Sequence, residues 1–333
     1  MKLDSVHELK AALTSSVLAP LARSVTARRL LNVAAQPVAG TAGMHRTIAL
    51  GIVKTGKENY RLAVRLQRRA MENSPQLDAI QKHAKGEVDV RYVGHVVKQA
   101  LPWYQRWNRP LRVGGSIGHY RVTAGTLGCF VRSRADDVVL ILSNNHVLAD
   151  ENRGKVGDAI IQPGSYDHGR NPADAIGKLA SFVRLKRTGA NRVDCALATI
   201  NEKVKFNYSK LTGVGKLAGL GDDVLDEGAT VAKAGRTTGT TRGKVTAFEL
   251  DNLVVEYDMG DIRFDNQIEI EGLGDGPFSD GGDSGSLIVD DQFRGVALLF
   301  AGGDQGGTNG RGLTYANPLR LVLDQLKVHL QYG

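Results

Sequence analysis

The pattern of hydrophobic and polar positions divides the 333-residue chain into three parts. Residues 3–34 repeat an apolar side chain every four positions, the spacing of one helix face: Leu9, Leu13, Val17 and Leu21. Pro20 should kink or end this helix, because its ring clashes with the preceding turn. The small residues at 34–43 then indicate a linker. Residues 1–43 are therefore predicted to form an N-terminal helical segment and a linker.

Residues 44–98 predict a small α/β module. Short strands at 47–53 and 60–67 are followed by a polar helix at 75–85 and a third strand at 88–97. Residues 99–115 mix tryptophan, arginine and proline, and we interpret them as a second linker.

Residues 116–333 are β-rich almost to the end, because short apolar segments alternate there with turn residues. The predicted strands lie at 125–131, 138–144, 158–163, 175–183, 194–200, 229–235, 243–250, 252–257, 265–272, 285–290 and 294–302. The chain's 40 glycines fit such a turn-rich structure. Residues 317–330 have the apolar spacing of a terminal helix. We therefore predict a mainly β barrel or sandwich domain at 116–333.

Composition places the chain among ordinary globular proteins, with 42% hydrophobic and 23% charged residues. Cys129 and Cys195 lie in apolar segments, so we expect two buried, reduced thiols. The N-terminus lacks an uninterrupted apolar core before a cleavage site, and no apolar run is long enough to span a bilayer. The expected location is therefore the cytoplasm, without membrane attachment.

The net charge of +8 is concentrated in the first third of the chain. Residues 1–112 hold 19 Lys and Arg against 7 Asp and Glu, whereas the remainder is mildly acidic. This basic region could bind an acidic protein partner or the second part of the chain itself. Nucleic acid is a weaker hypothesis because no exposed aromatic residues are interleaved with the arginines, which are Arg61, Arg65, Arg68 and Arg69.

Three motifs in the β-rich part carry candidate chemistry. They are LSNNHVLAD at 142–150, NRVDCALATI at 191–200 and SDGGDSGSLIVD at 279–290. A serine hydroxyl attacks a carbonyl efficiently only when an imidazole takes its proton and an acid orients that imidazole. We therefore assign Ser284 as nucleophile, His146 as general base and Asp194 as the orienting acid. The glycine-rich turn would direct the N–H groups of Gly282 and Ser284 at the oxyanion.

The order His146, Asp194, Ser284, with GGDSGS around the serine, resembles trypsin- and chymotrypsin-like serine peptidases. A closer resemblance, to bacterial trypsin-like peptidases and in part to plant narrow-leaf-type proteases, rests on SIGH, TAGTLGCFV, GDAIIQPG, VDCALA and GRTTGTTRGKV. The resemblance implies a chymotrypsin-like double β-barrel at 116–333 with the site in the cleft. It also implies a serine endopeptidase that needs no metal or organic cofactor.

The same resemblance assigns a substrate-binding region. It places Phe278 at the base of the primary pocket and the strand at 297–303 along its wall. The substrate-binding residues that follow are Phe278, Ser279, Leu299, Phe300, Ala301 and Gly302. Because this set is uncharged, we expect a preference for a small or apolar side chain over Lys, Arg or Glu.

Two alternatives remain open from the sequence. The chain could be a protease-fold binding protein whose basic N-terminal region recruits a partner, or it could be a zymogen. In activated relatives the residue matching Asp283 pairs with a newly made N-terminus, and RVGG at 112–115 superficially resembles such an activation site. A basic linker readily contains that string, so we favour a structural role for Asp283 and an enzyme active without processing.

Overall fold

The computed structural model describes residues 1–18, 48–67, 69–93, 101–222 and 225–333. It divides into two compact units, Met1–Ala100 and Leu101–Gly333. Residues 101–115, which the sequence suggested as a linker, therefore belong to the second unit. The predicted linker at 34–43 and Arg68 lie outside the described residues.

The first unit is a small α/β module whose core also includes the N-terminal helix. Its elements are α1 (Leu3–Leu13), a π-helical turn (Thr14–Leu18), β1 (Ile48–Lys54), β2 (Tyr60–Leu66), a 3-10 turn (Arg69–Met71), α2 (Pro75–His83) and β3 (Val88–Tyr92). Strand β2 pairs antiparallel with β1 and parallel with β3. A parallel pair needs a crossover, which α2 supplies. Of the predicted helix at 3–34, the part beyond residue 18 lies outside the described residues.

Local sequence explains how the elements of this module form. Ser74 caps α2 by accepting a hydrogen bond from the Leu77 N–H at 3.2 Å, and Pro75 occupies the first helical position, where its missing N–H costs nothing. Alternate residues of β2, Leu62, Val64 and Leu66, are buried in the module's core. Part of the basic surface is neutralised internally, because Arg65 and Arg91 both pair with Asp89.

The second unit is mainly β. Its strands are β4 (Leu111–Val113), β5 (Ser116–His119), β6 (Gly125–Thr126), β7 (Cys129–Ser133), β8 (Val139–Ser143), β9 (Ala159–Ile161), β10 (Ala175–Phe182), β11 (Ala196–Ala198), β12 (Phe206–Leu211), β13 (Gly215–Lys216), β14 (Gly219–Leu220), β15 (Thr230–Gly235), β16 (Gly239–Leu250), β17 (Leu253–Tyr257), β18 (Gly260–Phe264), β19 (Gln267–Gly272), β20 (Leu287–Asp290), β21 (Arg294–Gly302), β22 (Leu313–Pro318) and β23 (Val328–Leu330). Its helices are α3 (Asn145–Leu148) and α4 (Leu319–Leu326), with 3-10 turns at Trp103–Gln105 and Ser165–Asp167.

Two sheets form the body of this unit. The first has the order β23-β7-β8-β11-β10-β9-β5-β6, and its hydrogen bonding stays open among the described residues. The second has the order β14-β21-β20-β15-β16-β19-β22, and β22 pairs back with β21 to close a barrel of six described strands. We call these sheets the first and the second barrel. The mainly β, chymotrypsin-like double-barrel fold predicted from the sequence is confirmed.

The predicted terminal helix at 317–330 is shorter than expected. Helix α4 spans Leu319–Leu326 and ends where Lys327 adopts a left-handed φ of 55°. The chain then forms β23, which pairs with β7 of the first barrel. No described helix is both long and apolar enough to cross a membrane. Both cysteines are buried and unpaired.

A buried ion pair joins the two barrels. Asp167, in the turn that follows β9, accepts two hydrogen bonds from the Arg236 guanidinium at 2.6 and 2.7 Å. Arg236 follows β15, and its own N–H donates to the Thr126 hydroxyl of β6 at 3.0 Å. The side chains of Arg236 and Asp167 are only 9% and 3% exposed. A bidentate pair of this kind fixes the angle as well as the distance between the groups that it joins.

We predict that Asp167→Asn destabilises the second unit by about 3–5 kcal/mol, because it leaves the Arg236 charge buried without its partner. Asp324→Asn is the matched control, since Asp324 pairs with Arg134 but is 66% exposed, and it should cost about 1 kcal/mol or less. Denaturant unfolding can be followed through Trp103 and Trp107, the chain's two tryptophans, which both lie in the second unit. Equal effects of the two variants would contradict this account.

Candidate active site

The carboxylate of Asp194 is fully buried and receives four hydrogen bonds. Its Oδ2 accepts from His146 Nδ1 at 2.5 Å and from the Tyr257 hydroxyl at 2.7 Å. Its Oδ1 accepts from the backbone N–H groups of Asn145 at 2.6 Å and His146 at 3.3 Å. Strands β8 and β11 are neighbours, with Ser143 opposite Ala196, which is why residues 48 positions apart meet.

His146 is held in one orientation by this carboxylate. Burial lowers the pKa of His146, but the charge of Asp194, the hydrogen bond to it and the charge of Glu151 outweigh burial and raise the pKa above its ordinary value. The carboxylate accepts the Nδ1 proton, so the neutral imidazole keeps Nε2 free to accept another proton. The side chain remains 22% exposed.

The backbone of Asp194 is fixed from the second barrel. Its N–H donates to Asn317 Oδ1 of β22 at 2.9 Å, and Asn317 Nδ2 donates to Gln267 Oε1 of β19 at 2.6 Å. Asn144 Nδ2 donates to the Asp194 carbonyl at 2.7 Å. Sequence reasoning missed this network, although Asn317 and Gln267 are polar residues at buried strand positions.

Ser284 lies in a tight turn that two glycines make possible. Gly282 and Gly285 adopt left-handed φ values of 95° and 92°. A Cβ on Gly285 would lie 2.1 Å from the Ser143 hydroxyl oxygen, so only glycine fits there. The turn therefore packs directly against the end of β8, the strand that leads into His146.

The backbones around Ser284 and His146 both approach Gly125. The Thr126 N–H donates to the Ser284 carbonyl at 2.8 Å. A Cβ on Gly125 would lie 2.4 Å from the Val147 side chain and 3.1 Å from the Ser284 carbonyl oxygen. The Ser284 hydroxyl itself makes a long 3.4 Å bond to the Phe300 carbonyl. Among the described residues it makes no hydrogen bond to His146.

The side chain of Asp283 anchors the same turn. Its Oδ1 accepts from the N–H groups of Thr237 at 2.7 Å and Thr238 at 3.2 Å. Its Oδ2 accepts from Lys233 Nζ at 3.1 Å, the Thr238 hydroxyl at 2.7 Å and the Asp280 N–H at 3.1 Å. Lys233 and Asp283 are both fully buried. Burial lowers the pKa of Lys233, although Asp283 acts in the opposite direction.

Two backbone N–H groups of this turn are available as donors. In the described part of the chain, neither Gly282 nor Ser284 donates its N–H to another protein atom. The intervening Asp283 N–H instead donates to the Asp280 carbonyl at 3.0 Å. A pair of free N–H groups on either side of a fixed residue can bind a developing oxyanion.

A cavity of about 460 Å³ opens beside Ser284. Its lining is Pro277, Ser279, Asp280, Gly281, Ser284, Leu299, Ala301, Gly302, Gly303, Asp304, Gly310 and Arg311. Ser279, Leu299, Ala301 and Gly302, which the sequence interpretation assigned to substrate binding, line this cavity. The three charged residues of the lining were not anticipated.

Two of the expected pocket residues lie elsewhere. Phe278 is 1% exposed and packs in the core of the second barrel, with Lys233 Nζ over its ring. Phe300 is 3% exposed and packs against Ile262 and Phe264, so only its carbonyl faces Ser284. Ser279 lines the cavity, whereas its neighbour Phe278 packs in the core.

The supposed activation site lies within a strand. Leu111 and Val113 are buried, and β4 pairs in parallel with β12. The Gly114 N–H donates to the Leu127 carbonyl at 2.8 Å. A peptidase binds an extended, accessible segment, and this segment is already paired. Among the described residues, no three His, Cys, Asp or Glu side chains form a group that could hold a metal ion.

No protein-family model matches the sequence, and no curated protein matches it. Solved structures similar to the chain include Thermobifida fusca protease A (16% identity, 67% of this chain and 100% of that one, TM-score 0.46). They also include Cellulomonas bogoriensis chymotrypsin (17% identity, 67% of this chain and 100% of that one, TM-score 0.45). A third is a glutamic acid-specific serine protease (17% identity, 66% of this chain and 100% of that one, TM-score 0.47).

Proposed function

We propose that this protein is a serine endopeptidase with Ser284 as nucleophile, His146 as general base and Asp194 as the orienting acid. The observation that carries the proposal is the His146–Asp194 pair, whose buried carboxylate holds the imidazole beside the turn that presents Ser284. A histidine fixed by a buried acid near a serine on a glycine turn is the arrangement that acyl transfer requires.

The reaction follows from these positions. The long bond from the Ser284 hydroxyl to the Phe300 carbonyl is weak, so rotation of the side chain frees the hydroxyl for His146 Nε2. Ser284 Oγ then attacks the carbonyl carbon of the peptide bond as its proton passes to Nε2. The oxyanion receives the N–H groups of Gly282 and Ser284. His146 returns the proton to the departing amine, and water hydrolyses the resulting ester by the same steps in reverse.

The site requires no proteolytic activation in this proposal. Lys233 supplies the buried positive charge for Asp283 from within the chain, so a new N-terminus is unnecessary. The strand pairing around residues 112–115 also argues against cleavage there. The turn that carries the two oxyanion donors is therefore organised in the intact chain.

The substrate class that fits best is protein or peptide with a small or apolar residue before the scissile bond. Leu299 and Ala301 supply apolar lining, and glycines at 302, 303 and 310 leave room in the cavity. The acidic residues Asp280 and Asp304 and the basic residue Arg311 are all exposed, so they lie where water screens their charges. The shape of the cavity and its apolar contacts then determine which substrate side chain is preferred before the scissile bond.

We predict that a fluorophosphonate probe labels the freshly folded, full-length protein and that Ser284→Ala abolishes labelling. Ser286→Ala is the control, since Ser286 lies two residues away but is fully buried; it should not remove the labelled group. Labelling should accelerate as pH rises through the raised pKa of His146, because only the neutral imidazole accepts the proton. Absence of labelling in the wild type would refute the proposed activity.

We predict that Lys233→Met lowers kcat by at least about 100-fold, because an unpaired Asp283 carboxylate no longer holds the oxyanion turn. Lys244→Met is the control: Lys244 pairs with Glu271 and its side chain is 37% exposed. Steady-state hydrolysis of a peptide ester measures both variants, and tryptophan fluorescence checks that each is folded. Full activity of Lys233→Met would show that Asp283 needs no internal cation.

We predict that a peptide library incubated with the protein is cut mainly after small or apolar residues. Gly302→Val should reduce cutting after larger apolar residues more than after alanine, because a Cβ at position 302 would already approach the Leu313 carbonyl and the Ser279 hydroxyl at 3.3 and 3.6 Å. Cleavage sites identified by mass spectrometry measure this preference. Dominance of Arg, Lys or Glu before the cut would overturn the pocket assignment.

A further inference from the structure

Tyr257 contributes a hydrogen bond to the candidate active site from outside the three motifs. It ends β17, in the hairpin that β17 and β18 form. Its hydroxyl lies 2.7 Å from Asp194 Oδ2, the same oxygen that accepts from His146 Nδ1. The rings of Tyr257 and His146 meet edge to face, with centroids 5.9 Å apart.

The direction of this hydrogen bond follows from the chemistry of its partners. An ionised carboxylate can only accept, so the phenol must donate. Burial, together with the charges of Asp194 and Glu151, raises the pKa of Tyr257 well above its ordinary value. The hydroxyl therefore keeps its proton throughout the pH range in which His146 titrates. Tyr257 acts as a permanent donor to Asp194.

The hairpin is anchored to the segment that follows His146. Glu151 accepts hydrogen bonds from the N–H groups of Asp258 at 3.2 Å and Met259 at 3.0 Å. Arg153 pairs with the Asp258 carboxylate at 3.1 Å. Farther along the hairpin, Phe264 packs against Phe300 with ring centroids 4.7 Å apart. These contacts join both ends of the hairpin to the protein body.

The anchoring segment has an unusual backbone. Asp150, Glu151 and Asn152 have consecutive positive φ values of 49°, 52° and 70°, a region that residues other than glycine seldom occupy. Asn152 is locked there by two hydrogen bonds with the Asn145 side chain: Asn145 Nδ2 donates to Asn152 Oδ1 at 2.9 Å, and the Asn152 N–H donates to Asn145 Oδ1 at 3.0 Å. Such strain persists where surrounding contacts enforce it, commonly at functional sites. Here it presents Glu151 to the hairpin.

Among the described residues, Tyr257 of the β17–β18 hairpin is the one donor to the Asp194 carboxylate that lies outside the segment following β8. The other three donors belong to Asn145 and His146 of the first barrel. On β21, Ala301 packs in the same cluster as Tyr257 but has no hydroxyl to offer. The carboxylate's contact with side chains beyond Asn145 and His146 therefore depends on the hairpin.

We propose that Tyr257 is a positioning residue of the catalytic apparatus. By sharing Asp194 Oδ2 with His146, its hydroxyl fixes the rotation of the carboxylate and withdraws part of its negative charge from the imidazole. His146 is thereby held with Nε2 towards Ser284 and becomes neutral at a lower pH than it otherwise would. This inference rests on the proposed peptidase function for its kinetic consequences, but not for the hydrogen bond itself.

Removal of the hydroxyl has a defined electrostatic consequence. The charged or titratable groups that act on His146 are Asp194 and Glu151, with Tyr257 against its ring. In Tyr257→Phe, the charge on Asp194 Oδ2 is shared with no second donor, so it stabilises the imidazolium more strongly. The acid limb of kcat/KM should move to higher pH. The freed carboxylate also orients the imidazole less strictly, which should lower kcat.

The kinetic test compares Tyr257→Phe with the control Tyr315→Phe. Tyr315 packs in the same cluster, but its hydroxyl interacts with Glu269 and not with Asp194. We expect Tyr257→Phe to lose about tenfold in kcat, as for loss of one hydrogen bond to a charged group. KM should change little, the acid limb should move upward, and the control should match wild type. Unchanged kcat and an unchanged pH profile in Tyr257→Phe would overturn the proposal.

A spectroscopic test separates this inference from the proposed function. In the Ser284→Ala background, proton NMR can follow the His146 Nδ1–H signal, and we expect Tyr257→Phe to raise the pH midpoint of its titration. An identical midpoint would refute the role of Tyr257 whether or not the protein is a peptidase. Should Tyr257→Phe not fold, the wild type suffices: its Tyr257 hydroxyl proton should exchange slowly and shift as His146 titrates, and a fast-exchanging proton would refute the proposal.

Discussion

The buried carboxylate of Asp194 is the constraint on which the arrangement of the site depends. A carboxylate removed from water is tolerated only when its oxygen atoms find donors within the protein. Here the donors come from the residues that follow β8 and from the β17–β18 hairpin, while Asn317 of β22 fixes the backbone of the acid. Satisfying one charge therefore brings two separate segments of the second unit to Asp194, and the backbone bond to Asn317 adds a third. The orientation of His146 is a consequence of that requirement.

The buried carboxylate of Asp283 has the same structural role for Ser284, the residue that follows it. Its two oxygens accept hydrogen bonds from Lys233, Thr237, Thr238 and the Asp280 N–H at the start of the turn. The adjacent Arg236 is held by Asp167 of the first barrel. The turn with the two free N–H groups is thus tied to β15 and, through the Arg236 pair, to the opposite barrel. His146 and Ser284 are each positioned by a buried acid whose partners lie far away in the sequence.

The chemistry-bearing residues could be predicted because their signals are local. A histidine after an apolar strand, an acid opening another and a serine among glycines are each visible in a few residues, and their order suggested one fold. The strands followed from alternation and turn residues for the same reason. Residues 101–115, interpreted from the sequence as part of a linker, pack within the second unit, and composition does not reveal such packing. Gln105 donates to the Arg236 carbonyl and Asn108 contacts Gln162, and neither contact is apparent from nearby residues.

Features that depend on register or on distant contacts were beyond the sequence. Phe278 packs in the core and Ser279 lines the cavity, and the sequence pattern around these neighbours does not decide which one faces the cavity. Tyr257 reads in the sequence as the last residue of an ordinary strand. Its relation to Asp194, 63 positions earlier, exists only because the hairpin docks beside Glu151. The sequence of a predicted hairpin does not reveal which distant residue the polar side chain at its end will contact.

The set of donors around Asp194 also reflects a compromise between two demands on His146. A more concentrated negative charge would hold the imidazole more firmly, but it would keep the ring protonated to higher pH and so unable to accept a proton. The half-buried Glu151 adds to the negative charge that acts on His146. Each further hydrogen-bond donor to the Asp194 carboxylate reduces the negative charge that acts on His146. It also restrains the orientation of the carboxylate. Several hydrogen bonds to Asp194 therefore hold His146 rigidly without raising the pKa of the imidazole as far as a carboxylate with fewer donors would.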